Sequence, residues 1–248
     1  MIDFCIKIAG KVAAVHALFE SSREYCKAYL TEQTPDFDLQ ITQDDIALER
    51  NKTARTDLAE GRLVREVSDA QLELTAIQRK LAQELIVYNI VLFHGSVIAV
   101  DGTAYLFTAK SGTGKSTHTR LWRQMLGKKA VMVNDDKPFL RVTQETILAC
   151  GSPWNGKHRL GSNIEVPLKA ICILERGEEN RIERITASDA LHMLLQQSNR
   201  PLESQRLVRY MDLLDRIARD TCLFRLRCNM EPEAAEVAYR AMSGEWEA

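Results

Sequence analysis

Apolar and polar positions alternate at two periods along the chain, and the periods mark out its elements. Residues 2–8 and 11–17 alternate at strand spacing on either side of Gly10-Lys11, which predicts a hairpin. Residues 18–30 read as a helix, and Asp36 to Ile41 as a strand entered after Pro35. From Thr42 to Ser68 the chain is polar and charged, with few large apolar residues, and this marks the expected boundary between a small N-terminal part and the rest. Ser68, with Gln71 three residues on, has the capping-box pattern that opens a helix. Leu74, Ile77, Leu81, Leu85 and Tyr88 then recur at helical spacing as one core-facing stripe.

Short apolar runs follow at strand length. Ile90–Phe93 with Val97–Val100, and Ala104–Thr108, flank the turn Asp101-Gly102. A helix closes near Gly127, and a strand over Ala130–Asn134 leads into Asp135-Asp136. Further strands are expected at Phe139–Val142, Thr146–Cys150, Leu168–Leu174 and Cys222–Arg227. Thr186-x-x-Asp189 opens one helix; Leu207, Met211, Leu214 and Ile217 give the apolar face of a second; Pro232 and Gly244 bracket a third. Strands alternating with helices predict an α/β domain over 68–248, preceded by a small α+β element over 1–67.

Composition narrows the class. The 248 residues are 45% hydrophobic and 27% charged, and 33 basic against 34 acidic residues leave a net charge of −1. That balance supplies no field to attract nucleic acid or an anionic membrane, so neither is expected as a partner. Six scattered cysteines lack a C-x-x-C pair, and four sit in apolar runs, which reads as reduced, buried thiols. No signal-like apolar core opens the chain and no run is long enough to span a bilayer, so the expected location is the cytoplasm.

The chemistry concentrates between two strands. Ser111-Gly112-Thr113-Gly114-Lys115-Ser116-Thr117 follows an apolar strand and opens a helix, which is the order of a phosphate-binding loop. Glycines let backbone N–H groups turn toward phosphate oxygens, and the helix N-terminus adds partial positive charge. Lys115 is expected to reach the terminal phosphates and the Ser116 hydroxyl to bind Mg²⁺. The full pattern has glycine five residues before Gly114; here Ala109 stands there, requiring φ below zero. Gly-x-Gly-Lys-Ser/Thr arises by chance in roughly one chain in a hundred of this length, so its placement between strand and helix is specific.

Asp135-Asp136 lies just past a strand, where ligands sit in parallel sheets. One carboxylate can take a hydroxyl proton and the other hold Mg²⁺. His94-Gly95 ends an earlier strand. Gly151 to Arg159 is a turn-rich stretch in which Lys157, His158 and Arg159 present cations able to clamp phosphate or an anionic substrate. His118 and Trp122 are expected to pack in the core.

The run Leu92-Phe93-His94-Gly95-Ser96, the phosphate loop, and Asn134-Asp135-Asp136 about 20 residues later together resemble the catalytic domain of HPr kinase/phosphorylase. More distantly they are similar to ATP-dependent phosphoenolpyruvate carboxykinase. The resemblance covers roughly residues 90–175 and does not reach the first 67. It implies that family's P-loop domain on a mixed sheet, and transfer of a phosphoryl group from Mg-ATP to a hydroxyl. The acceptor would be a serine of a peptide or protein, or a small hydroxyl compound. It also implies that His94 lies near the transferred phosphate, that the acidic pair supplies base and metal contact, with Asp135 taken as the base and Asp136 as the metal ligand, and that Arg159 matches the family's signature arginine. The glutamate of that signature is absent here and a basic segment takes its place, which leaves the phosphate-consuming reverse reaction and HPr as acceptor open. A nucleotide-dependent switch of the same fold and a carboxykinase-like enzyme are the alternative readings, and a homo-oligomer is left open.

Overall fold

The computed structural model describes residues 1–244, and packing divides the chain into two compact units, Met1–Leu85 and Ile86–Ala248. The second part expected from the sequence, 68–248, therefore differs at its start from the packed unit, and its last four residues lie outside the described ones.

In the first unit, β1 (Ile2–Ile8) and β2 (Lys11–Ala17) pair antiparallel, turning through Ala9 and Gly10 at φ 51° and 77°. The helix expected over 18–30 is only α1 (Glu20–Tyr25), followed by a 3₁₀ turn at Lys27–Tyr29. The buried Glu73 carboxylate explains the shortened start: it accepts from the Leu18 and Phe19 N–H groups and from the Ser22 hydroxyl, at 2.5, 3.2 and 2.5 Å. These bonds fix Leu18 and Phe19 as the entry to the helix rather than part of it. β3 (Phe37–Gln40) lies parallel to β2.

The polar stretch after it, expected as a boundary, holds a helix, α2 (Gln43–Ala59), closed at its start by a full capping box between Thr42 and Asp45. Its buried positions are mostly charged. Asp45 receives Arg79 at 2.8 Å and Lys80 at 2.6 Å, and Glu49 also pairs with Arg79. Asp57, fully buried, is held by Arg62 and Arg65 at 3.0 Å each. The partners Arg79 and Lys80 belong to α3 (Asp69–Leu85), whose buried face carries Leu72, Ile77, Leu81 and Leu85. α3 thus packs with the first unit.

The second unit is a mixed α/β fold with helices on both faces of a nine-stranded sheet. Its elements run β4 (Ile90–Leu92), β5 (Ser96–Val100), β6 (Thr103–Thr108), α4 (Lys115–Leu126), β7 (Ala130–Asn134), β8 (Phe139–Val142) and β9 (Ile147–Cys150). There follow β10 (Glu165–Arg176), β11 (Arg181–Arg184), α5 (Ala187–Gln197), α6 (Ser204–Asp220), β12 (Cys222–Cys228) and α7 (Glu233–Ser243).

The main path across the sheet is β4-β8-β9-β10-β6-β5-β7, with β12 beside β10 and β11 beside β12. Strand alternation assigns the layers. Leu106, Ile171 and Ile173 face α5 and α6, packing with Leu194, Tyr210 and Leu214. Their neighbours Tyr105, Phe107 and Cys172 face the opposite way, against Trp122 of α4 and Ala235 of α7. On α6 the buried residues are Tyr210, Leu213, Leu214, Ile217 and Ala218; Met211 is partly exposed, so the expected apolar face is rotated by one position.

β5 is antiparallel to both β6 and β7. β6 and β7 therefore run the same way with one return strand between them, and the loop after β6 and the turn after β7 open at the same end of the sheet. β10, parallel to β6, ends there too.

Candidate functional site

The loop between β6 and α4 is held by its backbone. Gly112 and Gly114 sit at φ 76° and 128°, and a Cβ on either would meet nothing within 4 Å. Conformation rather than space therefore requires glycine there. Ala109 is fully buried, and its carbonyl accepts from Lys115 Nζ at 3.0 Å, folding the lysine back across the loop. Burial pushes the Lys115 ammonium below its ordinary value; Asp136 opposes the shift and Lys137 adds to it. From the end of β10, Arg176 donates to the Gly112 carbonyl at 2.7 Å and pins the crest of the loop. Ser111 and Ser116 are exposed, and Thr113 and Thr117 half-buried.

The acidic pair is positioned by Asn134, which is fully buried. Its Oδ1 accepts from the Asp136 and Lys137 N–H groups at 2.8 and 2.6 Å, closing the turn. Its Nδ2 donates to the Ser152 carbonyl and hydroxyl oxygens, each at 3.1 Å, tying that turn to the segment after β9. The same segment reaches Asp135, whose Oδ1 accepts from the Gly156 N–H at 2.7 Å. A Cβ at Gly156 would lie 3.2 Å from Asp135 Oδ2, so glycine there lets the loop close on the carboxylate. Asp135 is buried, and burial raises its pKa; backbone donors from Gly156 and Leu160 oppose the rise without cancelling it.

Asp136 differs. Burial alone would raise it, but the hydrogen bond from His94 and the charges of Lys137, His94 and Lys115 outweigh that, and the net shift is downward. His94 Nε2 stands 3.3 Å from Asp136 Oδ1. The histidine's backbone is held on both sides: its N–H donates to the Gln197 carbonyl at 2.6 Å and its carbonyl accepts from Thr108 Oγ1 at 3.0 Å. Gly95 is required by close approach, since a Cβ there would meet the Phe107 carbonyl at 3.0 Å.

His94, Lys115, Asp135 and Asp136 thus gather at one end of the sheet. Lys157 and Arg159 are exposed on the segment that closes over Asp135, with Arg159 at φ 48°. His158, between them, lines a cleft beside Ser116 and Asp135. His118 and Trp122 lie in the core, with Trp122 Nε1 donating to His118 Nε2 at 3.1 Å. Four residues at this end escape a reading of the sequence: Asn134 as organiser, Gly156, Arg176 and Lys137. Asn134 left a signal as the first residue of Asn134-Asp135-Asp136, Gly156 as part of a turn-rich stretch, and Arg176 as a cation at the carboxyl end of an apolar strand.

The residues fit a Mg-nucleotide. A positive-φ glycine pair stands at a helix N-terminus, where a Cβ on either glycine would meet nothing within 4 Å, and Ser116 and the acidic pair offer the hard oxygen donors that Mg²⁺ prefers. Among the described residues no helix is long and apolar enough to cross a membrane.

The model of the family described as "SynChlorMet cassette protein ScmC" matches residues 64–235, more than half of the chain. Among solved structures, the Hpr(Ser) kinase/phosphatase from Coxiella burnetii is similar at 12% identity and a TM-score of 0.38, over 63% of this chain and 99% of that one. Among curated proteins none matches.

Proposed function

The chain belongs to the ScmC family, and from the site just described we propose that it is a kinase transferring the γ-phosphoryl group of Mg-ATP to a hydroxyl acceptor. The observation that carries this reading is a half-buried lysine, Lys115, at the mouth of a helix behind two positive-φ glycines, at the sheet end that holds Asp135 and Asp136.

In the proposed reaction the acceptor oxygen forms a bond to the γ-phosphorus as the bond from that phosphorus to the β,γ-bridging oxygen breaks. The bridging oxygen keeps the electron pair and leaves on ADP. The acceptor's proton passes to the Asp135 carboxylate, whose raised pKa brings it nearer to the operating pH than an ordinary aspartate. Lys115, Ser111 and the backbone N–H groups of Gly112, Thr113, Gly114 and Thr117 hold the phosphates. Ser116 and Asp136 would hold Mg²⁺, which neutralises charge shared between the β- and γ-phosphates. His94 keeps Asp136 oriented, and Arg159 and Lys157 supply positive charge beside the transfer point.

The test is thermal unfolding with and without Mg-ATP or Mg-ADP. At ligand one hundred times its dissociation constant the stabilisation is about 2.7 kcal/mol, and Lys115→Ala should lose most of the shift. No shift with any nucleoside triphosphate or with pyrophosphate overturns the reading. A shift without transfer to any hydroxyl would point instead to a nucleotide switch.

A further inference from the structure

One face of α4 leaves the phosphate loop with two arginines that the mechanism does not use. Ser116, Arg120 and Arg123 fall at i, i+4 and i+7, so they line one side of the helix. They form a wall of a cleft of about 400 Å³ that also holds Asp135, His158 and Leu160. Among the described residues no ion pair or side-chain hydrogen bond engages Arg120, Arg123 or His158. Asp135 is the one carboxylate in the lining, its Oδ1 accepts from the Gly156 N–H, and it makes no ion pair with either arginine. Most guanidinium groups elsewhere in this unit have partners, as Arg141 has Glu165 at 2.6 Å and Arg216 has Asp220 at 3.0 Å. A concave surface with unpaired arginines beside a candidate base is built to receive an anion on the acceptor side.

Distance selects the kind of anion. Helical rise puts Arg120 about 6 Å and Arg123 about 10 Å along the axis from Ser116. A small hydroxy acid carries its hydroxyl and carboxylate only about 3–4 Å apart, two bonded carbons' span, shorter than the axial offset of either arginine from Ser116. An extended peptide advances about 3.3–3.6 Å per residue, so an acidic side chain two or three residues from the acceptor meets the arginines. Resting on the kinase reading above, we infer that this cleft takes an acidic peptide segment, and that Arg120 and Arg123 select acceptors with Asp or Glu two to three residues from the phosphorylated hydroxyl. The transfer step is the one already written; the cleft only positions its acceptor.

The experiment uses the full chain and synthetic peptides with one central serine, carrying Asp-Asp, Ala-Ala or Lys-Lys two and three residues to either side, with free serine as a fourth acceptor. Peptide binding is read by fluorescence anisotropy and transfer by ADP release. The acidic peptide should lead the neutral one about tenfold in kcat/KM, the worth of one charge-assisted contact. Arg120→Gln and Arg123→Gln should remove that lead through KM while the Mg-ADP thermal shift stays. The pair Arg120→Glu and Arg123→Glu should pass the preference to the Lys-Lys peptide. Equal turnover of the three peptides, or turnover of free serine alone, with the thermal shift intact, overturns the acidic cleft and leaves the kinase standing. If the thermal shift is absent the kinase reading falls, and anisotropy still decides the cleft: arginine-dependent binding of the acidic peptide supports it, and charge-blind binding or none overturns it.

Discussion

Burial lifts the pKa of Asp135, while His94, Lys137 and Lys115 around Asp136 hold its charge, so one turn presents two acids of unlike character. A proton acceptor acts on the acceptor hydroxyl alone, whereas a metal ligand acts on the nucleotide complex. Asp135→Asn should therefore keep Mg-ATP binding and slow transfer roughly 10²–10⁴-fold. Asp136→Asn should weaken both, as read by calorimetric titration beside turnover. Asparagine keeps the shape and removes the charge. The reverse pattern would exchange the two roles, and full activity in both variants would leave the pair a structural turn. At this scale the glycine-rich loop was legible, because its requirements are local: positive φ at two glycines and a lysine at a helix start. The part of Asn134 was not, because its Nδ2 partner, Ser152, lies across a strand pair that no local pattern reveals.

Among the elements, α2 shows what hydrophobic periodicity misses. The helix buries Asp45, Glu49 and Asp57 rather than an apolar stripe, so its period is written in charges whose partners sit on α3 and on the residues after α2. Its start signal was present in Thr42 and Asp45, the capping-box pair that opens it. Thr42→Ala removes the side-chain acceptor for the Asp45 N–H, and should cost about 1 kcal/mol in urea unfolding of the full chain. A change under a few tenths would mean the cap is already satisfied by solvent. β11 escaped for a related reason: Arg181–Arg184 is exposed, polar at both ends, and defined only by its pairing with β12. The strands from β5 to β7 were legible, since both faces of that part of the sheet are covered and leave near-continuous apolar runs.

At the scale of the molecule, the second unit carries a pH dependence set by one core group. Burial pushes the His118 imidazole down to about 4, from an ordinary 6.5. Between those values the unfolded chain binds a proton that the folded one refuses, so stability falls as pH drops through that window. The loss approaches about 3 kcal/mol near pH 4. His118→Gln, which can still accept from Trp122 Nε1, should flatten the dependence; guanidinium midpoints at pH 7, 5.5 and 4.5 measure it. An equal slope in the variant would assign the acid loss to other groups. Asp136, with its lowered value, adds a loss of the same sign at more acidic pH, and Asp135, with its raised value, opposes it.

β10 has a further consequence, which lies in time rather than space. It pairs with β9 and β6, both made before it, and with β12, made only after α5 and α6. At ribosomal rates of about 5–20 residues per second, one edge of its apolar run from Ala170 to Leu174 stays unpaired for seconds while the intervening helices emerge. An unpaired, uncharged strand edge is where nascent chains pair wrongly with one another. The cell's task in making this protein is therefore to shelter a single strand until its late neighbour arrives, and synthesis paced slowly through α6 lengthens that exposure.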